Sequence, residues 1–225
     1  MTKTDLDHSR HLLGQLGFEQ APQMLAELVE QSVRDELSLT GFLDLVCQRE
    51  QDFRQERRIR TALKLSGLPV GKTLDSFDFA FQRGVDKGQI DLLATSEFSR
   101  RKENVLLLGP PGVGKSHLAA ALGVKAIQNG FSVAFMSADH LLEQLRRDEA
   151  AESRRLHRHK YMTTAVLIID ELGFQALDRR DAHLLFKVIS YRYERGSTLI
   201  TSNKSIRDWP EMLAGDEVLA TAILD

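Results

Sequence analysis

The chain has 225 residues, 42% hydrophobic and 28% charged. That is enough for one α/β domain plus a small appendage, with a sizeable core and a well-solvated surface. The net charge of −2 excludes a global pull toward nucleic acid, so any such surface must be a local patch. A single cysteine, Cys47, excludes an intramolecular disulfide and is compatible with a reducing compartment.

The opening residues lack a positive segment followed by an apolar core, and no run of about 18 apolar residues occurs anywhere. The expectation is a cytoplasmic protein without a membrane span.

Residues 5–16 place Leu6, Leu12, Leu13 and Leu16 at roughly helical spacing, with Gly17 as a stop. A second helix is expected from about Pro22 to Glu36, its apolar face Met24, Leu25, Leu28, Val29 and Val33. A third begins near Ser38, an N-cap residue type. There Leu39, Phe42, Leu43, Val46 and Cys47 recur at helical intervals, and the helix continues through a charged stretch to about Leu65. On that face Cys47 reads as a small buried hydrophobe. Residues 1–65 thus read as a small helical domain.

Its end is locally basic. Arg49, Arg54, Arg57, Arg58, Arg60 and Lys64 stand against Glu50, Asp52 and Glu56. Charge alone favours a solvated helix with i,i+4 pairs over a phosphate-contacting face. Residues 66–71 read as a linker. Leu74, Phe77 and Phe79 alternate as in a short extended segment, and one helix is expected over 84–98, with Ile90, Leu92, Leu93 and Phe98 for packing.

From Asn104 strand and helix alternate. Strands are expected at 104–108, 132–136, 165–170 and 198–202, each apolar as buried parallel strands are. Helices are expected at 115–129, 138–147, about 181–194 and near 208–213. The pattern predicts a doubly wound α/β domain with right-handed crossovers.

Three motifs carry chemistry. Gly109-Pro110-Pro111-Gly112-Val113-Gly114-Lys115-Ser116 joins an expected strand to an expected helix, and His117 follows. This is the P-loop pattern in its proper context. Glycines let backbone N–H groups surround a polyphosphate at a helix N-terminus. Lys115 is placed to reach the β- and γ-phosphates and the Ser116 hydroxyl to ligate Mg²⁺. Second, Val166-Leu167-Ile168-Ile169 runs into Asp170-Glu171, a Walker B arrangement. Asp170 is assigned to Mg²⁺ and Glu171 to activation of water as general base. Third, the strand from Thr198 ends at Asn203, which could hydrogen-bond the γ-phosphate or the lytic water.

A second basic stretch holds Arg146, Arg147, Arg154, Arg155, Arg158 and Lys160, with His157 and His159. Charge alone reads it as a solvated loop. The two histidines lack partners at metal-ligand spacing, so no zinc site is expected.

Together these motifs resemble the AAA+ P-loop ATPases, and more closely the IstB-like ATP-binding proteins, helpers of insertion-sequence transposition related to the DnaC helicase loaders. The resemblance rests on 109–119, Leu167 through Gly173, Leu185-Phe186 through Arg195, Thr201-Ser202-Asn203, Trp209 and 216–225. It implies ATP and Mg²⁺ as cofactors and an oligomer that assembles on duplex DNA and recruits or stimulates a transposase, regulated by ATP hydrolysis. It implies a helical DNA- or partner-binding domain over 1–65, a lead-in over 66–103 with 74–79 near the adenine, and the ATPase core over 104–225. For Arg54, Arg57, Arg58, Arg60, Arg154, Arg155, Arg158 and Lys160 it makes DNA contact an even alternative to solvation.

In that family the sequence continues past the point matching Leu224-Asp225 to an arginine that completes a neighbour's site, a last strand and a second sensor arginine. The expectation is therefore ATP binding by an incomplete core, with strand 104–108 an apolar edge. Arg192 and Arg195 are present, and the sequence does not decide whether either replaces the missing finger. A helicase loader and a non-hydrolysing fragment stay open as alternatives.

Overall fold

The computed structural model describes residues 3–82, 84–150 and 159–224. The chain divides into two compact units, 1–61 and 62–225.

The first unit holds helices α1 (Lys3–Gln15), α2 (Ala21–Arg34) and most of α3 (Leu39–Ser66). Gly17, at φ +82°, ends α1 in a left-handed turn, with Phe18 N donating to Leu13 O. Ser38 caps α3 by accepting from Gly41 N at 3.1 Å. Ala21, Leu28 and Val46 form the core, with Phe18, Met24, Phe42 and Leu45 packed against it. The expected apolar face of α3 is only half used. Phe42 and Val46 turn inward, whereas Leu39 and Leu43 are 88% and 61% exposed and Cys47 is exposed rather than buried. The two shorter helices, α1 of 13 residues and α2 of 14, leave too little apolar surface to cover so wide a stripe.

The second unit contains α4 (Lys87–Ala94), α5 (Glu97–Arg101), β1 (Val105–Leu108), α6 (Lys115–Gln128), β2 (Val133–Ser137), α7 (Ala138–Ala150) and α8 (Lys160–Thr163). β3 (Val166–Leu172), α9 (Arg179–Arg192), β4 (Ser197–Ser202), α10 (Trp209–Met212) and α11 (Glu217–Leu224) follow. The four strands form one parallel sheet in the order β1-β4-β3-β2. Leu167 and Ile169 turn toward the layer of α7, α9 and Trp209. Ile168 faces the opposite way, where a Cβ on Gly123 of α6 would lie 2.8 Å from its Cδ1. With both faces covered, the strands read as continuous apolar runs. Among the described residues β1 pairs with β4 alone and stands at the sheet edge, with Leu108 36% exposed.

Two further expectations are corrected. The helix predicted over 84–98 is two helices. Asp86 caps α4, accepting from Gly88 N and Gln89 N, but the chain breaks at Ser96, which lies at φ +62° and is buried. Asn129 Nδ2 donates to both Ala94 O and Ser96 Oγ at 3.0 Å, satisfying polar groups that the break frees. Phe98 and Ile90 are buried while Leu92 is 67% exposed. The segment predicted as extended around 74–79 is a run of turns. Phe77 N donates to Leu74 O, and Ala80 N and Phe81 N to Asp78 Oδ1, so side-chain-to-backbone bonds win over extension.

Candidate functional site

Parallel strands with the P-loop after β1, the acids in the last residues of β3 and Asn203 just past β4 deliver all three motifs to one carboxyl edge of the sheet, where α/β folds bind ligands. A cavity of ≈ 620 Å³ lies there, lined by Pro111, Gly112, Gly114, Lys115, Ser116, His117, Asp170, Glu171 and Asn203, and also by Pro69, Lys72, Phe135, Phe174, Thr201 and Ser202. The sequence reading did not assign this second group. Thr201 and Ser202 belong to the run that ends at Asn203; the places of the other four, in a linker, at a strand end or on a loop, carry no local signal, and only the fold collects them.

Gly112 and Gly114 hold φ of +82° and +87°, a backbone that side-chain-bearing residues rarely adopt. Gly114 is also close to Phe77: a Cβ there would lie 2.6 Å from Phe77 Cε2. Around this turn Lys115 Nζ donates to Gly109 O at 2.7 Å and to Pro110 O at 2.8 Å. Burial pushes the Lys115 ammonium below its ordinary value, and attraction from Asp170 and Glu171 opposes the shift. Val113 packs beside Gly109, whose Cβ would lie 3.5 Å from Val113 Cγ2.

His117 is turned toward the lead-in segment. Its Nε2 lies 2.9 Å from Thr73 O and 3.2 Å from Ser76 Oγ, and Phe77 meets its ring edge-on at 5.3 Å. The carbonyl of Thr73 can only accept, so that nitrogen carries the proton. The turns of 73–77 are thereby clipped to the start of α6.

The acid pair sits on a bulge. Ile169 pairs with Ile200 and Leu172 with Ser202, so Asp170 and Glu171 together oppose Thr201. Glu171 is left-handed, at φ +62°. Thr201 Oγ1 donates to Asp170 Oδ1 at 2.5 Å and accepts from Glu171 N at 2.8 Å. Ser202 Oγ donates to Leu172 O at 2.6 Å and accepts from Lys204 N at 3.1 Å, which fixes the turn that carries Asn203.

The donor set matches a phosphate-bound divalent cation. The Ser116 hydroxyl and Asp170 carboxylate are hard oxygen donors on one cavity. Among the described residues no group of three or more His, Cys, Asp or Glu could hold a metal by itself. Mg²⁺ characteristically takes one or two protein oxygens and completes its shell with phosphate and water. The open glycine turn, the lysine and the start of α6 fit a polyphosphate.

The arginines are placed less uniformly. Arg54 donates to Glu50 Oε1 at 2.9 Å and to Gly17 O at 2.6 Å, and Arg57 pairs with Glu19. Arg58 and Arg60 are exposed on α3. Lys160 Nζ donates to Leu65 O at 3.2 Å, while Arg154, Arg155 and Arg158 lie outside the described residues. Arg192 is buried at 1% exposure, donating to Tyr161 O, Met162 O, Thr164 O, Ala165 O, Ser197 O and Thr198 Oγ1. It cannot reach a neighbouring subunit's phosphate. Arg195 donates to Tyr191 O at 2.7 Å and lies over the Tyr191 ring. No helix among the described residues is long and apolar enough to cross a membrane.

Comparison with known proteins gives a consistent picture. The chain is 45% identical over 216 residues to a Pseudomonas aeruginosa protein of insertion sequence IS21 named for ATP binding, covering 95% of this chain and 80% of the relative. It is 44% identical over 198 residues to the corresponding protein of IS5376 from Geobacillus stearothermophilus, covering 88% and 78%. Among solved structures, the DnaC helicase loader superposes with a TM-score of 0.58 at 23% identity, over 69% of this chain and 93% of that one. AMPPCP-bound DnaA from Aquifex aeolicus does so at 0.57 and 20%, over 70% and 48%. These two likenesses speak for the fold, that of the AAA+ P-loop proteins. The sequence profile described as IstB-like ATP binding protein matches residues 11–225, and the chain belongs to that family.

Proposed function

We propose that this chain binds ATP with Mg²⁺ in the cavity beside Lys115 and serves insertion-sequence transposition as a nucleotide-dependent, DNA-binding helper of a transposase. The observation that carries the reading is the convergence of Lys115, Ser116, Asp170, Glu171 and Asn203 on one cavity at the sheet's carboxyl edge. The relatives carried on insertion sequences support the biological setting. The loader alternative rests on likeness of fold alone.

In this reading the N-terminal N–H groups of α6 and the Lys115 ammonium bind the phosphates, with Lys115 exchanging the carbonyls of Gly109 and Pro110 for phosphate oxygens. Ser116 and Asp170 would hold the metal, which when bound would neutralise charge developing on the transferred phosphoryl group. Glu171 takes the proton of the attacking water, and Asn203 orients that water or the terminal phosphate. Residues 1–65 act as the DNA- or partner-binding domain, 66–103 as lead-in and 104–225 as the ATPase core. Arg54, Arg57, Arg58 and Arg60, all exposed on α3, are the cations offered for phosphate contact, Arg54 and Arg57 while also pairing with Glu50 and Glu19.

Titration with a fluorescent ATP analogue tests this. Lys115→Ala is expected to weaken binding at least about tenfold, roughly 1.4 kcal/mol. Gel shift of duplex DNA with and without ATP tests the second half. A wild-type chain that binds no nucleotide sinks the whole reading; nucleotide binding without DNA binding removes the DNA role.

A further inference from the structure

The acid pair stands on irregular backbone: β3 bulges by one residue between Ile169 and Leu172, and Glu171 occupies the left-handed region at φ +62°. Such geometry persists only where its surroundings enforce it. One hydroxyl spans the irregularity. Thr201 Oγ1 lies 2.5 Å from Asp170 Oδ1 and 2.8 Å from Glu171 N. An amide N–H can only donate, so the oxygen accepts from Glu171, and its single proton goes to Asp170. Thr201 is 1% exposed, so its hydroxyl is held between these two partners away from bulk solvent. Its β-branched side chain has few rotamers from which to choose.

From this we infer that Thr201 is a positioning residue of the nucleotide site: it engages Oδ1 of Asp170, leaves Oδ2 free for the cation, and anchors the backbone from which the Glu171 carboxylate projects. The inference rests on the ATP–Mg²⁺ reading above. Groups that orient a metal ligand characteristically alter metal affinity by 10–100-fold when removed.

The test compares wild type, Thr201→Val and Thr201→Ser. A fluorescent ATP analogue is bound across a Mg²⁺ titration and again in EDTA, with melting temperature recorded for each chain. Thr201→Val, which keeps the shape and loses the hydroxyl, is expected to need about 10–100 times more Mg²⁺ for half-maximal binding, with binding in EDTA unchanged. Thr201→Ser is expected to stay within about threefold of wild type, because the hydroxyl remains. A purely structural threonine would lower the melting temperature and leave the Mg²⁺ midpoint in place; that result overturns the inference, as does failure of Thr201→Ser to rescue. Should Thr201→Val not fold, the Glu171 amide carries the test. Slow hydrogen exchange there in wild type, retained in Thr201→Ser, supports the anchor, and exchange at the rate of an open loop overturns it. A wild type that binds no nucleotide overturns the ATP reading itself, an outcome distinct from binding with an unmoved Mg²⁺ midpoint.

Discussion

Glu50 in the helical unit and Arg192 in the α/β unit are both buried charges, and they are stabilised differently. Glu50, 3% exposed, accepts from the backbone N–H groups of Glu19, Gln20 and Ala21 at the start of α2 and also has Arg54 beside it. Arg192, 1% exposed, has only neutral oxygens, most of them carbonyls of the 161–165 and 197 backbone. One caps a helix whose apolar core is small. The other joins the connection before β3 to the start of β4 inside a large core, where a charge is tolerated because many dipoles converge on it. The thin core is thus tied at a helix start by a group that titrates in acid, whereas the thick core is tied by one that stays charged.

The largest expected effect is at Arg192. Arg192→Met leaves buried carbonyls without donors and should destabilise the α/β unit by about 3–5 kcal/mol. Urea denaturation read through buried Trp209 measures this. Arg192→Lys should not restore it, because a single ammonium cannot reproduce the planar fork. A methionine variant within about 1 kcal/mol of wild type would break the contrast, making the bonds incidental to stability.

Glu50 comes next and sharpens the comparison through pH. Burial alone would raise this carboxyl; the three backbone donors and Arg54 outweigh it and hold the group at about 2, against an ordinary 4.5. Because the folded value is the lower one, the contribution is complete above pH 4.5 and is lost as pH falls from 4.5 toward 2. Its size is about 3 kcal/mol. Amide exchange between pH 6 and pH 3 should therefore show α1–α2 and the first turns of α3 losing protection as acid is added. Glu50→Gln should show reduced protection at pH 6 and little further loss at pH 3. Equal acid sensitivity in wild type and Glu50→Gln would locate the sensitivity elsewhere.

Much of the α/β unit was legible because each buried parallel strand is an unbroken apolar run and the motif glycines admit few other conformations. Local pattern was less informative where distant groups decide. Leu39, Leu43 and Cys47 have the periodicity of a buried face, yet periodicity does not reveal whether another element is there to cover them. The break at Ser96 depends on Asn129, 33 residues away. The pairing of Arg54 with Gly17 and of Arg57 with Glu19 crosses a similar separation and was invisible to a count of charges along one helix. At the site, Asp170 and Glu171 could be named from a strand ending in acids, but the bulge could not, since it exists only in the register between β3 and β4.

The bulge yields the smallest expected effect on stability and the one that best separates strain from charge. Glu171 is exposed and lies at φ +62°, so its conformation gains little from packing while a side chain there costs about 1–2 kcal/mol. Glycine removes that cost but widens the unfolded ensemble by about 0.4–1 kcal/mol. The balance predicts Glu171→Gly to be about 0.5–1 kcal/mol more stable than wild type. Glu171→Ala loses the same carboxylate and keeps the strained backbone, so it should show no such gain. If Glu171 is the general base, both variants should lose hydrolysis by about 10²–10⁴ while retaining nucleotide binding. Thermal melting and turnover measured on the same preparations separate the two effects. A glycine variant no more stable than the alanine variant would mean that the bonds around Thr201, rather than the residue's own preference, carry the whole cost of the turn, and that the α/β unit holds Glu171 there without a local penalty.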